Sequence, residues 1–145
     1  MNDINLKLVI AMARSYNTLF SRIAENVRGY GLTLSEFGVL EMLYHKGPQP
    51  VQKIAEKILV TSGTITYVIN KLLEKGFVNR MKCDNDKRIY YVSLTPAGER
   101  LITEIFPKHR KFLDHLLKEM HIREKESFIH QLMILQDTVD PTRID

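Results

Sequence analysis

The chain has 145 residues, 44% of them hydrophobic and 26% charged, which excludes a disordered chain and leaves room for one domain or two small units sharing a core. Its single cysteine, Cys83, excludes an intramolecular disulfide and fits a reducing cytosol, and no stretch approaches the roughly 20 apolar residues needed to span a bilayer. The net charge of +4 is unevenly placed: residues 51–100 carry nine Lys/Arg against five Asp/Glu, residues 1–50 five against four, and residues 101–145 seven against eight, so the positive excess falls in the middle third, as suits a polyanion-binding unit.

In chain order, residues 4–28 read as a long amphipathic helix, because Leu6, Val9, Ile10, Ala13, Tyr16, Leu19, Phe20, Ile23 and Val27 recur at helical spacing. Asp3 and Arg14 in this stretch are unlike a signal peptide, and a cytoplasmic location is expected. Gly29 and Gly31 end the helix. Thr33 or Ser35 can cap a second helix over 34–46, with Phe37, Leu40 and Leu43 inward. Gly47, Pro48 and Pro50 then break the chain and leave room for a short extended segment. Two helices follow over 51–58 and 61–75, then strands over 77–80 and 89–94 joined by a polar loop. Thr95 and Pro96 are suited as N-cap and first residue of a helix running to about 120, which Pro107 is expected to kink. A final helix over 122–138 carries Phe128, Ile129, Leu132, Met133 and Leu135.

The block 51–72 fits a helix-turn-helix. Ala55 supplies the small residue where two helices touch, Leu59 and Val60 span the tight turn, and Thr61 can cap the second helix. Ile65, Val68, Ile69 and Leu72 make its buried face, which leaves Ser62, Gly63, Thr64, Thr66, Tyr67, Asn70 and Lys71 for other faces. Small polar side chains at a helix N-terminus can enter the major groove and meet phosphates and base edges, and Tyr67 can reach a phosphate or a thymine methyl. The hairpin that follows holds Arg80, Lys82, Lys87 and Arg88 within nine residues, and such a wing can set an arginine in a narrow, electronegative minor groove. Asp86, two residues before Arg88, could hold its guanidinium in position. The candidate DNA-binding set is therefore Thr61, Ser62, Gly63, Thr64, Thr66, Tyr67, Lys71, Arg80, Lys82, Lys87 and Arg88, with Asp86 as wing support.

These residues bring out a family resemblance. Ile54-Ala55-Glu56-Lys57, Thr61 with Thr64-Ile65-Thr66, and the run from Leu72 through Glu74-Lys75-Gly76 to Arg80 resemble the core of the MarR family. So do Asp86-Lys87-Arg88 and Leu94-Thr95-Pro96-Ala97-Gly98, which match the family's Asp-x-Arg wing and Leu-Thr-x-x-Gly pattern at the usual spacing. The resemblance implies a mainly α fold with a small β-hairpin wing. In that scheme residues 1–145 form a single unit, with dimerisation helices at 1–31 and 96–145 and a winged helix-turn-helix lobe at 34–95. It also implies a homodimer on a pseudo-palindromic operator in double-stranded DNA, with Thr61 to Lys75 as recognition helix and Arg88 as wing arginine. Tyr67 is a departure, since many members carry arginine there, and this bears on base preference.

The resemblance further implies a regulator, expected here to be a repressor, relieved by a small aromatic or phenolic acid bound between the dimerisation helices and the lobe, or by oxidative or electrophilic stress. The run Gln52-Lys53-Ile54 with Thr61 to Val68 looks most like a quinone- or phenol-responsive branch. Cys83 offers a thiol-based alternative, since Arg80 and Lys82 favour a thiolate while Asp84 opposes it. The family's peroxide-sensing cysteine lies in the first helix, where this chain has none. The histidines His109, His115 and His121 are six residues apart, which does not co-face them on a helix, so no metal is expected, nor any other cofactor. The chain has no Gly-rich phosphate loop, no H-E-x-x-H and no nucleophile elbow, so it does not read as an enzyme. A winged helix used only for protein contacts is the remaining alternative, against which the basic wing argues.

Overall fold

The computed structural model describes residues 3–58 and 62–142, with the side chain of Ser62 outside the description. Its elements are α1 (Ile4–Arg28), α2 (Leu34–Lys46), β1 (Gln49–Pro50), α3 (Val51–Ile58), α4 (Ser62–Glu74), β2 (Val78–Lys82), β3 (Tyr90–Leu94), α5 (Pro96–Leu116) and α6 (Ile122–Val139). The chain divides into two compact units, residues 1–108 and 109–145.

Local chemistry sets the boundaries in the first unit. The Asp3 carboxylate accepts the N–H groups of Asn5 and Leu6 at 3.1 and 3.2 Å and so starts α1. Thr33, rather than Ser35, caps α2: its hydroxyl accepts the Glu36 N–H at 3.1 Å while the Glu36 carboxylate accepts the Thr33 N–H at 3.3 Å, a reciprocal capping box. The three strands form one antiparallel sheet in the order β1-β3-β2. Pro50 lies in the edge strand β1, where the N–H it lacks is not needed by the ladder.

The core of this unit is apolar and continuous. Ile23 and Val27 of α1, Phe37, Val39, Leu40 and Leu43 of α2, and Ile54 of α3 are buried. So are Ile65, Val68, Ile69 and Leu72 of α4, Val78 and Val92 of the hairpin, and Ile102 and Ile105 of α5. Each such burial is worth about 1.5–3 kcal/mol relative to exposure. The inward face expected for α4 is thus the one observed. On α1, Ile23 and Val27 near its C-terminal end are buried, while Leu6, Val9, Ile10 and Tyr16 of the same apolar stripe are exposed in the single chain.

Three boundaries differ from expectation. Strand β2 extends to Lys82, since Arg80 pairs with Val92, Met81 with Tyr91 and Lys82 with Tyr90; Met81 and Lys82 are strand rather than loop residues. Ile89 falls outside β3, because its N–H turns back to the Asp86 carbonyl at 3.0 Å. Helix α5 ends at Leu116 rather than near 120, and the chain turns through a bond from the Met120 N–H to the Leu117 carbonyl at 3.1 Å before α6 begins. In the second unit α6 opens with the His121 N–H bonded to the Glu124 carboxylate at 2.8 Å, and Phe128, Ile129 and Met133 along it are exposed.

The start of α5 is fastened to the turn between α4 and β2. Gly76 has φ +77°, a left-handed conformation that a Cβ disfavours and that commonly ends a helix. The Phe77 N–H returns to the Leu72 carbonyl at 3.0 Å, and the Thr95 N–H donates to the Phe77 carbonyl at 3.0 Å. The Thr95 hydroxyl donates to the Gly76 carbonyl at 2.6 Å and accepts the Gly98 N–H at 3.0 Å, so one residue caps α5 and ties it to the end of α4. A Cβ on Gly98 would overlap the Phe77 carbonyl oxygen and lie 2.9 Å from its carbon, which is why the position takes glycine. Gly98→Ala is expected to lower the stability to chemical denaturation by about 1–3 kcal/mol; an unchanged denaturation midpoint would show that this approach is not constrained.

Candidate nucleic-acid interface

Burial of Ile65, Val68, Ile69 and Leu72 turns the opposite face of α4 to solvent. Thr64, Thr66 and Asn70 are exposed there, and Tyr67 is 63% exposed. The Lys71 ammonium lies 5.6 Å from the Tyr67 ring centroid and 3.4 Å from the Glu74 carboxylate, so the tyrosine stands beside a cation. Thr61, expected to cap this helix, and the turn at residues 59–60 lie outside the described residues. Ser62 and Gly63 open α4, though only their backbone is described.

The wing is organised around Arg88. Its Nε and a terminal nitrogen donate to the two oxygens of the Asp86 carboxylate at 3.1 and 3.2 Å, and its backbone N–H donates to the same carboxylate at 3.0 Å. The Arg88 side chain is nevertheless 90% exposed, so a two-point grip holds a guanidinium out in solvent. The hydrogen bond from the Arg88 side chain, followed by that from its backbone, holds the Asp86 carboxyl below the usual carboxylate range. Lys87 is exposed beside it. Arg80 and Lys82, two residues apart on β2, share one face of the strand. The Arg80 guanidinium lies 4.9 Å and the Lys82 ammonium 5.8 Å from the centroid of the Tyr90 ring. Cys83 is partly buried at the base of the loop, and its N–H donates to the Ile89 carbonyl at 2.8 Å.

A cleft of about 330 Å³ separates helix from wing. Thr66 and Ile69 of α4, Gln52 of α3, and Arg80, Arg88 and Tyr90 of the hairpin are among its lining. The polar side of α4 and the cationic hairpin therefore border one concave surface, with a helix on one side and a β-ribbon on the other. Among the described residues no group of three or more His, Cys, Asp or Glu could hold a metal ion, and no helix is long and apolar enough to cross a membrane.

Two parts of this arrangement escape sequence reading. The role of Thr95 in bonding the Gly76 carbonyl needs the turn geometry, although its role as cap is local. Lys75 reaches Glu36, 39 residues away, and no local pattern announces that pair. The Thr33-x-x-Glu36 spacing does signal a capping box, which would have singled out Glu36 as a helix-start residue.

A helix-turn-helix followed by a cationic β-hairpin defines a winged-helix protein. The MarR family model matches residues 32–90. The chain is 38% identical over 126 residues to the HTH-type transcriptional regulator MhqR of Bacillus subtilis (strain 168), covering 87% of each protein. Among solved structures, BpsR of Bordetella bronchiseptica, whose DNA binding is regulated by 6-hydroxynicotinic acid, superposes with a TM-score of 0.81 at 20% identity, covering 90% of this chain and 99% of BpsR. Reduced AbfR bound to DNA gives a TM-score of 0.75 at 22% identity, covering 97% of this chain and all of that one (100%). The chain belongs to the MarR family: it is a DNA-binding transcriptional regulator and not an enzyme.

Because the Asp86 carboxyl is held low by Arg88, the pair persists above the usual carboxylate pKa and is lost only as pH falls through the lowered value. Carboxyl titration followed by NMR is expected to give Asp86 a midpoint below that of an ordinary aspartate, and Arg88→Ala is expected to raise it. An equal midpoint in the two proteins would mean that the grip does not form in solution.

Proposed function

We propose that this protein is a homodimeric repressor that binds a pseudo-palindromic operator and is released by a small aromatic or phenolic ligand or by oxidative or electrophilic stress in the cytoplasm. In this reading residues 34–95 form the DNA-binding lobe, and residues 1–31 and 96–145 supply the dimerisation helices. The face of α4 with Thr61, Ser62, Gly63, Thr64, Thr66, Tyr67 and Lys71 enters the major groove. The wing residues Arg80, Lys82 and Lys87 meet phosphates, and Arg88 enters the adjacent minor groove.

The observation that carries the reading is the Arg88 guanidinium, fixed at two points by Asp86 yet 90% exposed. A cation with its orientation set before contact loses less freedom on binding than a mobile one. The exposed apolar side chains of α1 and α6 support a second copy as their cover. Ile4 is 70% and Val9 63% exposed on α1, Ile122 71% and Ile129 56% on α6, and each is worth about 1.5–3 kcal/mol when buried. The aromatic ligand class is supported by similarity to BpsR, which responds to a hydroxylated aromatic acid.

Selection of bound duplexes from a random pool tests the reading. An inverted repeat is expected, with affinity falling about 10³-fold between roughly 50 and 200 mM salt for about six phosphate contacts. A direct repeat, a single site or salt-insensitive binding would contradict it, and salt-insensitive binding would favour a protein-interaction module. Arg88→Ala is expected to weaken operator binding by about 1–3 kcal/mol while the circular dichroism spectrum is unchanged. An undiminished affinity would remove the wing from recognition. Cys83→Ser is expected to leave both operator affinity and ligand release intact; if the variant no longer responds to an oxidant that releases the parent protein, the thiol is the sensor.

A further inference from the structure

The C-terminal end of α4 is held by charges that the candidate DNA-facing surface does not include. Glu36, on the first turn of α2, is buried, its side chain only 5% exposed. One carboxylate oxygen accepts the Thr33 N–H. The other accepts the Lys75 ammonium at 2.5 Å, and the same ammonium donates to the Gly31 carbonyl at 3.1 Å. Lys75 directly follows α4, and its N–H bonds the Lys71 carbonyl at 3.0 Å. One side chain thus ties the end of α4 to the turn where α1 gives way to α2.

The burial of Glu36 gives this contact its consequence. An ion pair with one buried member resists displacement, because separating the two leaves a charge away from water without its partner. The neighbouring Lys71 and Glu74 pair is exposed on both sides and imposes no such constraint. A cation is also favourable beside the helix C-terminus, but that effect alone would not choose a partner on α2. The 13 residues of α4 put Lys75 about 20 Å along the helix from its N-terminal end, so the ammonium acts on the opposite end of the helix from the residues that open it.

We propose that Lys75, through Glu36 and the Gly31 carbonyl, is a positioning residue for operator reading: it fixes the tilt of α4 against the α1–α2 turn and thereby sets how the far end of the helix meets base edges. This rests on the reading of α4 as the recognition helix.

The test compares Lys75→Met, Lys75→Arg, Glu36→Gln and the E36Q/K75M double variant. Each is measured for folding by circular dichroism and denaturant, and for affinity to the selected operator and to a scrambled duplex over a range of salt. Lys75→Met is expected to weaken operator binding about 2- to 30-fold, with scrambled-duplex affinity and the salt slope unchanged, and Lys75→Arg to keep most of the preference. The double variant strands no buried charge; it is expected to fold and still show the reduced operator-to-scrambled ratio, so it decides the matter if Lys75→Met does not fold. Equal losses on both duplexes with a salt slope shallower by about one would make Lys75 a phosphate contact and overturn the proposal. A folded double variant with the parent ratio would also overturn it. A parent protein that prefers no duplex would sink the operator reading itself, whereas a parent preference left intact in the variants sinks only the role of Lys75.

Discussion

Two surface elements can engage a duplex together only if their separation is fixed, and in this chain the Gly76–Phe77 turn fixes it. Helix α4 ends just before this turn and β2 begins directly after it. The left-handed Gly76, the return of the Phe77 N–H to Leu72, and the bonds from Thr95 to both carbonyls of the turn leave little freedom between them. Rigid support of this kind is what binding residues need, because ordering them at the moment of contact would subtract from affinity. The close approach of Gly98 to Phe77 adds the first turn of α5 to the same junction.

Either side of that junction, electrostatics and packing divide the work. Apolar residues hold α4 to the core on one face, which frees the other for polar contacts. In the hairpin, cations are spaced by strand geometry and held by neutral or oppositely charged partners: Arg80 and Lys82 on the Tyr90 ring, Arg88 on Asp86. No basic side chain need be buried to be placed. The positive middle third of the sequence thus becomes one cationic ribbon beside one polar helix face, around a shared cleft.

Much of this is legible in the sequence, for local reasons. Helical periodicity gives α1 through α4 nearly to the residue, Thr33 and Thr95 sit where caps are needed, and the two-residue step from Asp86 to Arg88 brings carboxylate and guanidinium together. What escapes depends on contacts distant in sequence. The pairing of Arg80 with Val92 and Lys82 with Tyr90 lengthens β2 past the point where polar composition reads as loop. The Lys75 and Glu36 pair joins residues with no common local pattern. Periodicity shows which face of α1 is apolar, and most of that stripe is exposed in the single chain.

Hydroxyl-radical footprinting of the protein on its selected operator measures the spatial claim directly. Backbone protection is expected in two clusters centred about 10 base pairs apart, related by a dyad, each with a flanking minor-groove protection that Arg88→Ala removes while the central protection stays. A single cluster without a dyad, or flanking protection that survives loss of the arginine, would contradict it.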